Sequence, residues 1–226
     1  MTVLSPPRHP LVECALGDAK RWCAGQIIDD RPALAHAARV AVTLGEYVAG
    51  TAPELIAAAL LHDAPEFAPA DIDVDAVLRL RYGSEVARIV RALEAEHHAL
   101  DTASSIITID DLPVLLASTA DKIVALASLS RRAKRSGDVT GFFAARPALL
   151  RLLPHFRAFA LAGVGHVPTA TSTSTAFVLV KMANLGARPG SAVLSDFAYS
   201  PLRPGTRHRS GVYADNSARH TAEPVR

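Results

Sequence analysis

Residues 51–66 read TAPELIAAALLHDAPE, and this stretch decides the fold. Thr51 is predicted to cap a helix, Pro53 suits its first turn, and Glu54 complements the helix dipole. The run from residue 55 to residue 61 has no polar face, which is typical of a helix buried on every side. We expect this helix to end just before Pro65, because the residue before a proline is pushed out of helical geometry.

An imidazole and a carboxylate, His62 and Asp63, stand side by side at the end of this apolar run. Burying either group without a partner is costly, whereas a divalent cation accepts both as ligands. Two further candidates are His36, in an alanine-rich helix, and Asp121, a lone carboxylate in an apolar helix. Each alone also suits a hydrogen bond or an ion pair, and Lys122 is a possible partner for Asp121. Together they predict a metal site formed by His36, His62, Asp63 and Asp121.

Apolar residues recur at helical spacing along most of residues 9–163. We expect one all-α bundle of about seven helices, over residues 11–26, 32–48, 53–61, 74–81, 84–96, 112–135 and 147–161. Hydrophobic residues make up 50% of the chain and aromatic residues 5%, a balance that favours closely packed helices. From Pro168 the composition changes to Thr, Ser, Pro and Arg, so residues 164–226 are predicted to be a low-complexity, largely disordered tail.

The overall composition excludes several classes of function. The net charge of +2, from 24 basic and 22 acidic residues, is too near balance for a surface that coats nucleic acid. Two cysteines, Cys14 and Cys23, are too few for a disulfide framework, so we expect a reducing cytoplasm and two buried, unreactive thiols. No uninterrupted apolar run reaches the roughly 18 residues of a membrane span. These features predict a cytoplasmic protein that binds neither nucleic acid nor membrane, and they leave its oligomeric state open.

The ordered pattern of His36, His62-Asp63 and Asp121 resembles the HD-domain metal-dependent phosphohydrolases. The stretches PALAHAARVA (32–41), AAALLHDAPE (57–66) and YGSEVARIV (82–90) are similar to the hydrolase domain of RelA/SpoT-type alarmone enzymes, and the resemblance covers residues 9–163. It implies an all-α fold that holds one divalent metal ion, usually manganese (Mn²⁺). It also implies a small-molecule nucleotide substrate and the removal of the 3′-pyrophosphate from guanosine tetraphosphate, (p)ppGpp.

Several positions depart from the RelA/SpoT pattern. Phe67 replaces the second acid after Glu66, Ile27 or Ile28 a basic residue, Ala33 a tyrosine, and Ala125 an asparagine. A glutamate without a following acid, and Asp71-Ile72 after it, are also similar to HD-domain 5′-nucleotidases that act on deoxynucleoside monophosphates. Both branches hydrolyse nucleotide phosphoesters, and a catalytically degenerate HD module that binds nucleotides is a third alternative.

Catalytic roles follow from the resemblance and from the chemistry of the side chains. Asp63 is expected to be a metal ligand that orients the attacking water. Glu66 is the candidate general base, or the group that aligns the water. Its alternative role is to complement the dipole of a helix that begins near Pro65.

Positive groups are needed to bind the substrate phosphates, and Arg39 and Lys122 are the candidates. Arg39 follows His36 by one helical turn, and Lys122 adjoins Asp121. Either could instead cap a helix or pair with Asp121. The basic run 131–135 is interpreted as a solvated face. A second cluster, Glu94, Glu96, His97 and His98, could also bind metal, but adjacent histidines at a helix end are expected to meet solvent.

Overall fold

A computed structural model describes residues 2–28, 31–101 and 110–163. The α-helices of this part are α1 (Pro10–Trp22), α2 (Ala33–Tyr47), α3 (Pro53–Leu61), α4 (Ala64–Phe67), α5 (Val74–Val77), α6 (Ser84–Asp101), α7 (Leu112–Arg135), α8 (Val139–Ala144) and α9 (Pro147–Ala162). A π-helical turn (Leu78–Tyr82) links α5 to α6, and a short antiparallel pair joins β1 (Ile27–Ile28) to β2 (Arg31–Pro32). The predicted all-α class is confirmed, while the predicted tail 164–226 lies outside the described residues.

The apolar helix α3 lies at the centre of the bundle. Every side chain from Leu55 to Leu61 is buried, and the helix packs against α1, α2, α6 and α7. A smaller apolar cluster joins the C-terminal half of α7 to α8 and α9. Because α3 is surrounded on all sides, the chain that leaves its C-terminal end enters the interior of the protein rather than solvent.

The helix boundaries differ from the predicted ones where the chain turns. Helix α1 ends at Trp22 because Gly25, with φ 76°, reverses the chain into the β1–β2 pair. Thr51 does not cap α3: its hydroxyl donates to the Val48 carbonyl at the end of α2, and Ala52 is the N-cap of α3. The sequence offers α4 only as the alternative setting of Glu66 and does not predict α8, because helices of four and six residues are too short to show periodicity.

Among the described residues, α7 is long and apolar enough to cross a membrane by length and composition alone. In the folded chain 83% of its apolar window is buried. The core helix of a globular protein has the same properties, so this observation gives only weak evidence for a membrane span. The predicted cytoplasmic location stays a prediction.

The buried His155 on α9 makes the fold sensitive to acid. Neither ring nitrogen has a hydrogen-bond partner, and burial, together with the charge of Lys122, lowers the pKa of the imidazole from 6.5 to about 4. His155 is therefore neutral in the folded protein, whereas the unfolded chain takes up a proton below its ordinary pKa. The stability from the neutral ring is present above that pKa and is lost as the pH falls toward about 4.

We predict that His155→Leu reduces this acid sensitivity. In the parent, His155 should lower the free energy of unfolding by at most about 1.4 kcal/mol per pH unit across this window. Urea denaturation at about pH 7 and about pH 5 gives the free energy of unfolding at each pH, and the difference between the two values measures its pH dependence. The matched control is His98→Gln, which changes an exposed histidine and should keep the parent slope. Equal slopes in all three proteins would contradict the prediction.

Candidate metal centre

The four predicted ligands converge where α2, α3 and α7 meet. His36 lies on α2, Asp121 on α7, and His62 and Asp63 form the link between α3 and α4. All four are buried, with exposed fractions of 7%, 2%, 1% and 6% respectively. His36, His62 and Asp121 each offer one ligand atom, and these atoms lie within 4.8 Å of one another. Residues far apart in the sequence thus share one pocket.

The separations between the donor atoms suit a shared cation. His36 Nε2 lies 3.0 Å from Asp121 Oδ1, and His62 Nε2 lies 3.8 Å from the same oxygen. His62 Nε2 also lies 3.3 Å from Asp63 Oδ2. Donor atoms bound to one ion at about 2.0–2.2 Å stand at comparable distances from each other.

The orientation of His62 leaves a lone pair directed at the pocket. Its Nδ1–H donates to the Ala59 carbonyl over 2.8 Å, which makes Nε2 the unprotonated nitrogen. Burial lowers the pKa of this imidazole, so the ring stays neutral. Nε2 and the facing Asp63 Oδ2 are both buried without a hydrogen-bond partner. Two facing acceptors with no proton between them are best satisfied by a cation, and two imidazoles with two carboxylates suit manganese, iron, zinc or magnesium.

Asp121 remains ionised in the interior of the protein. Burial alone would raise the pKa of its carboxyl group, but hydrogen bonds from His36 and His97 outweigh burial and hold that pKa well below its usual range. His36 faces Oδ1, and His97 Nε2 lies 3.3 Å from Oδ2. The carboxylate thus keeps the negative charge that a metal ligand requires.

His97 is a site residue that sequence reasoning missed. The predicted helix ended at residue 96, whereas α6 continues to Asp101 and directs His97 at Asp121. The expectation that His97 meets solvent is wrong, although His98 is exposed as expected. The signal was present, because His97 continues the buried positions Val86, Val90 and Leu93 at alternating steps of four and three residues.

The segment after His62-Asp63 places Glu66 on the exposed side of α4. The Glu66 amide donates to the Asp63 carbonyl over 3.1 Å, so the two residues lie within one turn. Phe67 packs against the buried cluster of Cys23, Ile28 and Ala33. Phe67, which stands where the RelA/SpoT pattern has an acid, therefore contributes to apolar packing beside β1.

The two predicted phosphate-binding residues lie in different surroundings. Lys122 is buried, its ammonium group forms an ion pair with Glu96, and it also donates to Ser118 Oγ over 2.8 Å. The predicted alternative, pairing with a carboxylate, is present, but the partner is Glu96 rather than Asp121. Arg39 is exposed and lines a cavity of about 110 Å³ together with His36. The structure therefore brings Arg39 beside the metal ligands and engages Lys122 in the interior.

The helical bundle and its His/Asp cluster together define an HD-type fold, as the sequence resemblance predicts. A solved structure described as a metazoan ortholog of SpoT that hydrolyzes ppGpp and plays a role in starvation responses has a similar fold. The TM-score is 0.58 and the identity 17%, and the match covers 78% of this chain and 98% of that chain. At this identity the likeness concerns the fold. A scan against protein-family models and a search of curated proteins give no match.

The two cysteine thiols have opposite electrostatic surroundings, and Cys23 lies close enough to the metal centre to sense the charge of Asp63. Burial, and then the charge of Asp63, raises the pKa of Cys23 to about 11. Cys14 is only partly buried, and a hydrogen bond with Tyr82 and another from Arg81 lower the pKa of its thiol. Cys23 is buried as expected, whereas Cys14 is only partly buried; their reactivity stays a prediction.

We predict that iodoacetamide labels Cys14 at least about tenfold faster than Cys23 in the folded protein, because the thiolate is the nucleophile. Mass spectrometry of timed samples at neutral pH measures both rates. Cys23→Ser should label like the parent, whereas Cys14→Ser should label slowly until denaturant is added. Similar rates for the two thiols would contradict this prediction.

Proposed function

We propose that this protein is a metal-dependent phosphohydrolase that acts on a nucleotide. One observation carries the proposal: His62 Nε2 and Asp63 Oδ2 face each other in the interior over 3.3 Å, both buried without a hydrogen-bond partner, beside the buried carboxyl group of Asp121. Such an arrangement is costly in the absence of a cation and favourable in its presence. We assign His36, His62, Asp63 and Asp121 as the ligands of one divalent ion, with manganese as the first candidate.

The side chains around the pocket suggest how hydrolysis proceeds. A bound divalent cation supplies Lewis-acid chemistry, since it lowers the pKa of a water and neutralises charge that develops on phosphorus. Asp63 orients the attacking water, and Glu66, within one turn of Asp63, accepts its proton or aligns it by a hydrogen bond. Arg39 pairs with phosphate oxygens beside His36.

The first candidate reaction is removal of the 3′-pyrophosphate from a guanosine tetraphosphate-type substrate. The fold similarity to a protein described as hydrolyzing ppGpp supports this choice, as does the motif resemblance over residues 9–163. The second candidate is a 5′-nucleotidase reaction on deoxynucleoside monophosphates. It is favoured by Phe67, whose apolar packing leaves Glu66 without the neighbouring acid of the alarmone hydrolases.

One assay separates these candidates. Purified protein is incubated with manganese and either guanosine tetraphosphate or a set of deoxynucleoside monophosphates. Release of pyrophosphate supports the first reaction, and release of orthophosphate from the monophosphates supports the second. Bound metal with neither product would reject both reactions and favour a catalytically degenerate nucleotide-binding module.

We predict that His62→Ala weakens manganese binding by more than about 100-fold, since loss of even an outer partner of a metal ligand costs about 10–100-fold. Isothermal titration calorimetry measures the affinity, and circular dichroism verifies that the helices remain. His98→Ala is the matched control, because His98 is exposed on the neighbouring helix α6. Equal and negligible metal binding by the parent and both variants would contradict the metal site.

We predict that Glu66→Gln retains manganese affinity but lowers kcat about 100-fold or more, the usual contribution of a general base. Glu66 is exposed, so the substitution should leave the fold intact. Steady-state kinetics on whichever substrate that assay identifies measures kcat, and calorimetry measures the manganese affinity. The half-buried Glu54, in the first turn of α3 and far from Asp63 along that helix, offers a control in Glu54→Gln. An unchanged kcat in Glu66→Gln would reject the assigned role.

A further inference from the structure

His97 reaches the metal centre from α6, a helix that carries none of the four assigned ligands. Its Nε2 lies 3.3 Å from Asp121 Oδ2, and its ring stands edge-on to the ring of His62, with 5.9 Å between the ring centres. His36 and His62 approach the other oxygen of the same carboxylate, Oδ1, at 3.0 and 3.8 Å. His97 therefore contacts the oxygen of Asp121 that the two histidine ligands leave open.

The two hydrogen bonds of Asp121 respond differently to a bound cation. An ionised carboxylate only accepts hydrogen bonds, so His36 Nε2 donates to Oδ1 in the metal-free protein. The same nitrogen cannot donate to Oδ1 and bind a cation at once, because a metal ligand needs its lone pair. Among the residues that the structure describes, the other donor to this carboxylate is His97. The hydrogen bond from His97 is thus the one that remains when His36 becomes a ligand.

Two adjacent contacts fix α6 against α7 and give His97 its direction. Glu96 forms a buried ion pair with Lys122 and accepts a hydrogen bond from Ser118 Oγ over 2.6 Å. The next residue of α6, His97, meets Asp121, the residue before Lys122 on α7. Separating a buried ion pair is costly, so this pair resists sliding or rotation of α6 along α7. The imidazole of His97 is therefore presented to Asp121 by a rigid pair of helices.

We infer that His97 is a positioning residue of the metal centre, which holds Asp121 by Oδ2 so that Oδ1 stays directed at the cation. The inference rests on the metal site of the proposed function, and it adds a residue outside the pattern of His36, His62-Asp63 and Asp121. A partner of this kind fixes the orientation of a ligating group without binding the ion itself. The side chain of His97 is 22% exposed, so its replacement disturbs the core less than replacement of a buried ligand.

The first test compares manganese affinities by isothermal titration calorimetry. His97→Leu removes the hydrogen-bond donor and should weaken binding about 10–100-fold. His97→Gln keeps an N–H donor in its side-chain amide and should bind nearly as tightly as the parent. His98→Leu is the matched control, because His98 is the next residue of α6 and is exposed. Circular dichroism and urea denaturation of the metal-free proteins verify that each variant folds.

The second test uses a spectroscopic signature of the loaded site. The visible absorption of bound Co²⁺ reports the arrangement of its ligands, since the geometry of a transition-metal site depends on them. At saturating cobalt, where a loss of affinity no longer matters, His97→Leu should shift this absorption. His97→Gln and His98→Leu should reproduce the spectrum of the parent. A residue that only stabilises the fold would leave the spectrum unchanged in all of these variants.

The outcomes separate this inference from the proposed function. A parent-like manganese affinity or a parent-like cobalt spectrum in His97→Leu rejects the positioning role and leaves the metal site. Equal losses of affinity in His97→Leu and His97→Gln also reject it, because the imidazole itself would then be required. Metal binding that depends on a donor at residue 97, without hydrolysis of any nucleotide, supports the positioning role and rejects the proposed hydrolase. A parent that binds neither manganese nor cobalt rejects both.

Discussion

A negative charge in the most buried part of the protein constrains the rest of the structure. Asp121 lies on α7, the long core helix, and its carboxylate remains ionised because histidines from two other helices face its two oxygens. An ionised carboxylate in this position is tolerated only while those partners stay in place. The packing of α2 and α6 against α7 is therefore tied to one side chain, and α3 brings His62 to the same point.

Lys122, the next residue on α7, is also a buried charged group, but a partner of opposite charge neutralises it. Lys122 pairs with Glu96 inside the bundle, and its ammonium group lies 4.3 Å from the centre of the Phe159 ring on α9. This ion pair satisfies its own charges, whereas the cluster around Asp121 leaves acceptors facing each other. Two adjacent residues of α7 thus have different roles. Lys122 links helices through its ion pair, and Asp121 belongs to the group of donor atoms that could bind a cation.

The chemistry of the site changes across His36. On one side lie carboxylates and neutral imidazoles that suit a cation, and on the other side lies a cavity bordered by arginines and an unpartnered serine. Phe67 packs against Ile28, which also lines this cavity.

The position of the site follows from short-range patterns in the sequence. An apolar run that ends in His62-Asp63, with lone polar residues in two other apolar helices, predicts both the bundle and the ligands that meet in it. Contacts between helices do not follow from such patterns. The position of Lys122 beside Asp121 suggests phosphate binding, but its buried partner Glu96 lies on another helix and cannot be inferred from spacing. The sequence assigns His97 to solvent because the predicted helix ends at residue 96, whereas α6 continues to Asp101.

The all-α class, the central buried helix and the set of residues with metal-binding chemistry can therefore be inferred from the amino-acid sequence, because periodicity and residue type are local properties. Which charges meet depends on the packing of the helices. The tertiary structure paired Lys122 with Glu96, directed His97 at Asp121, and placed Arg31 and Arg39 on the wall of one cavity. Contacts of this kind depend on how helices rotate and pack against each other, and that relation is set by the whole core rather than by any single segment.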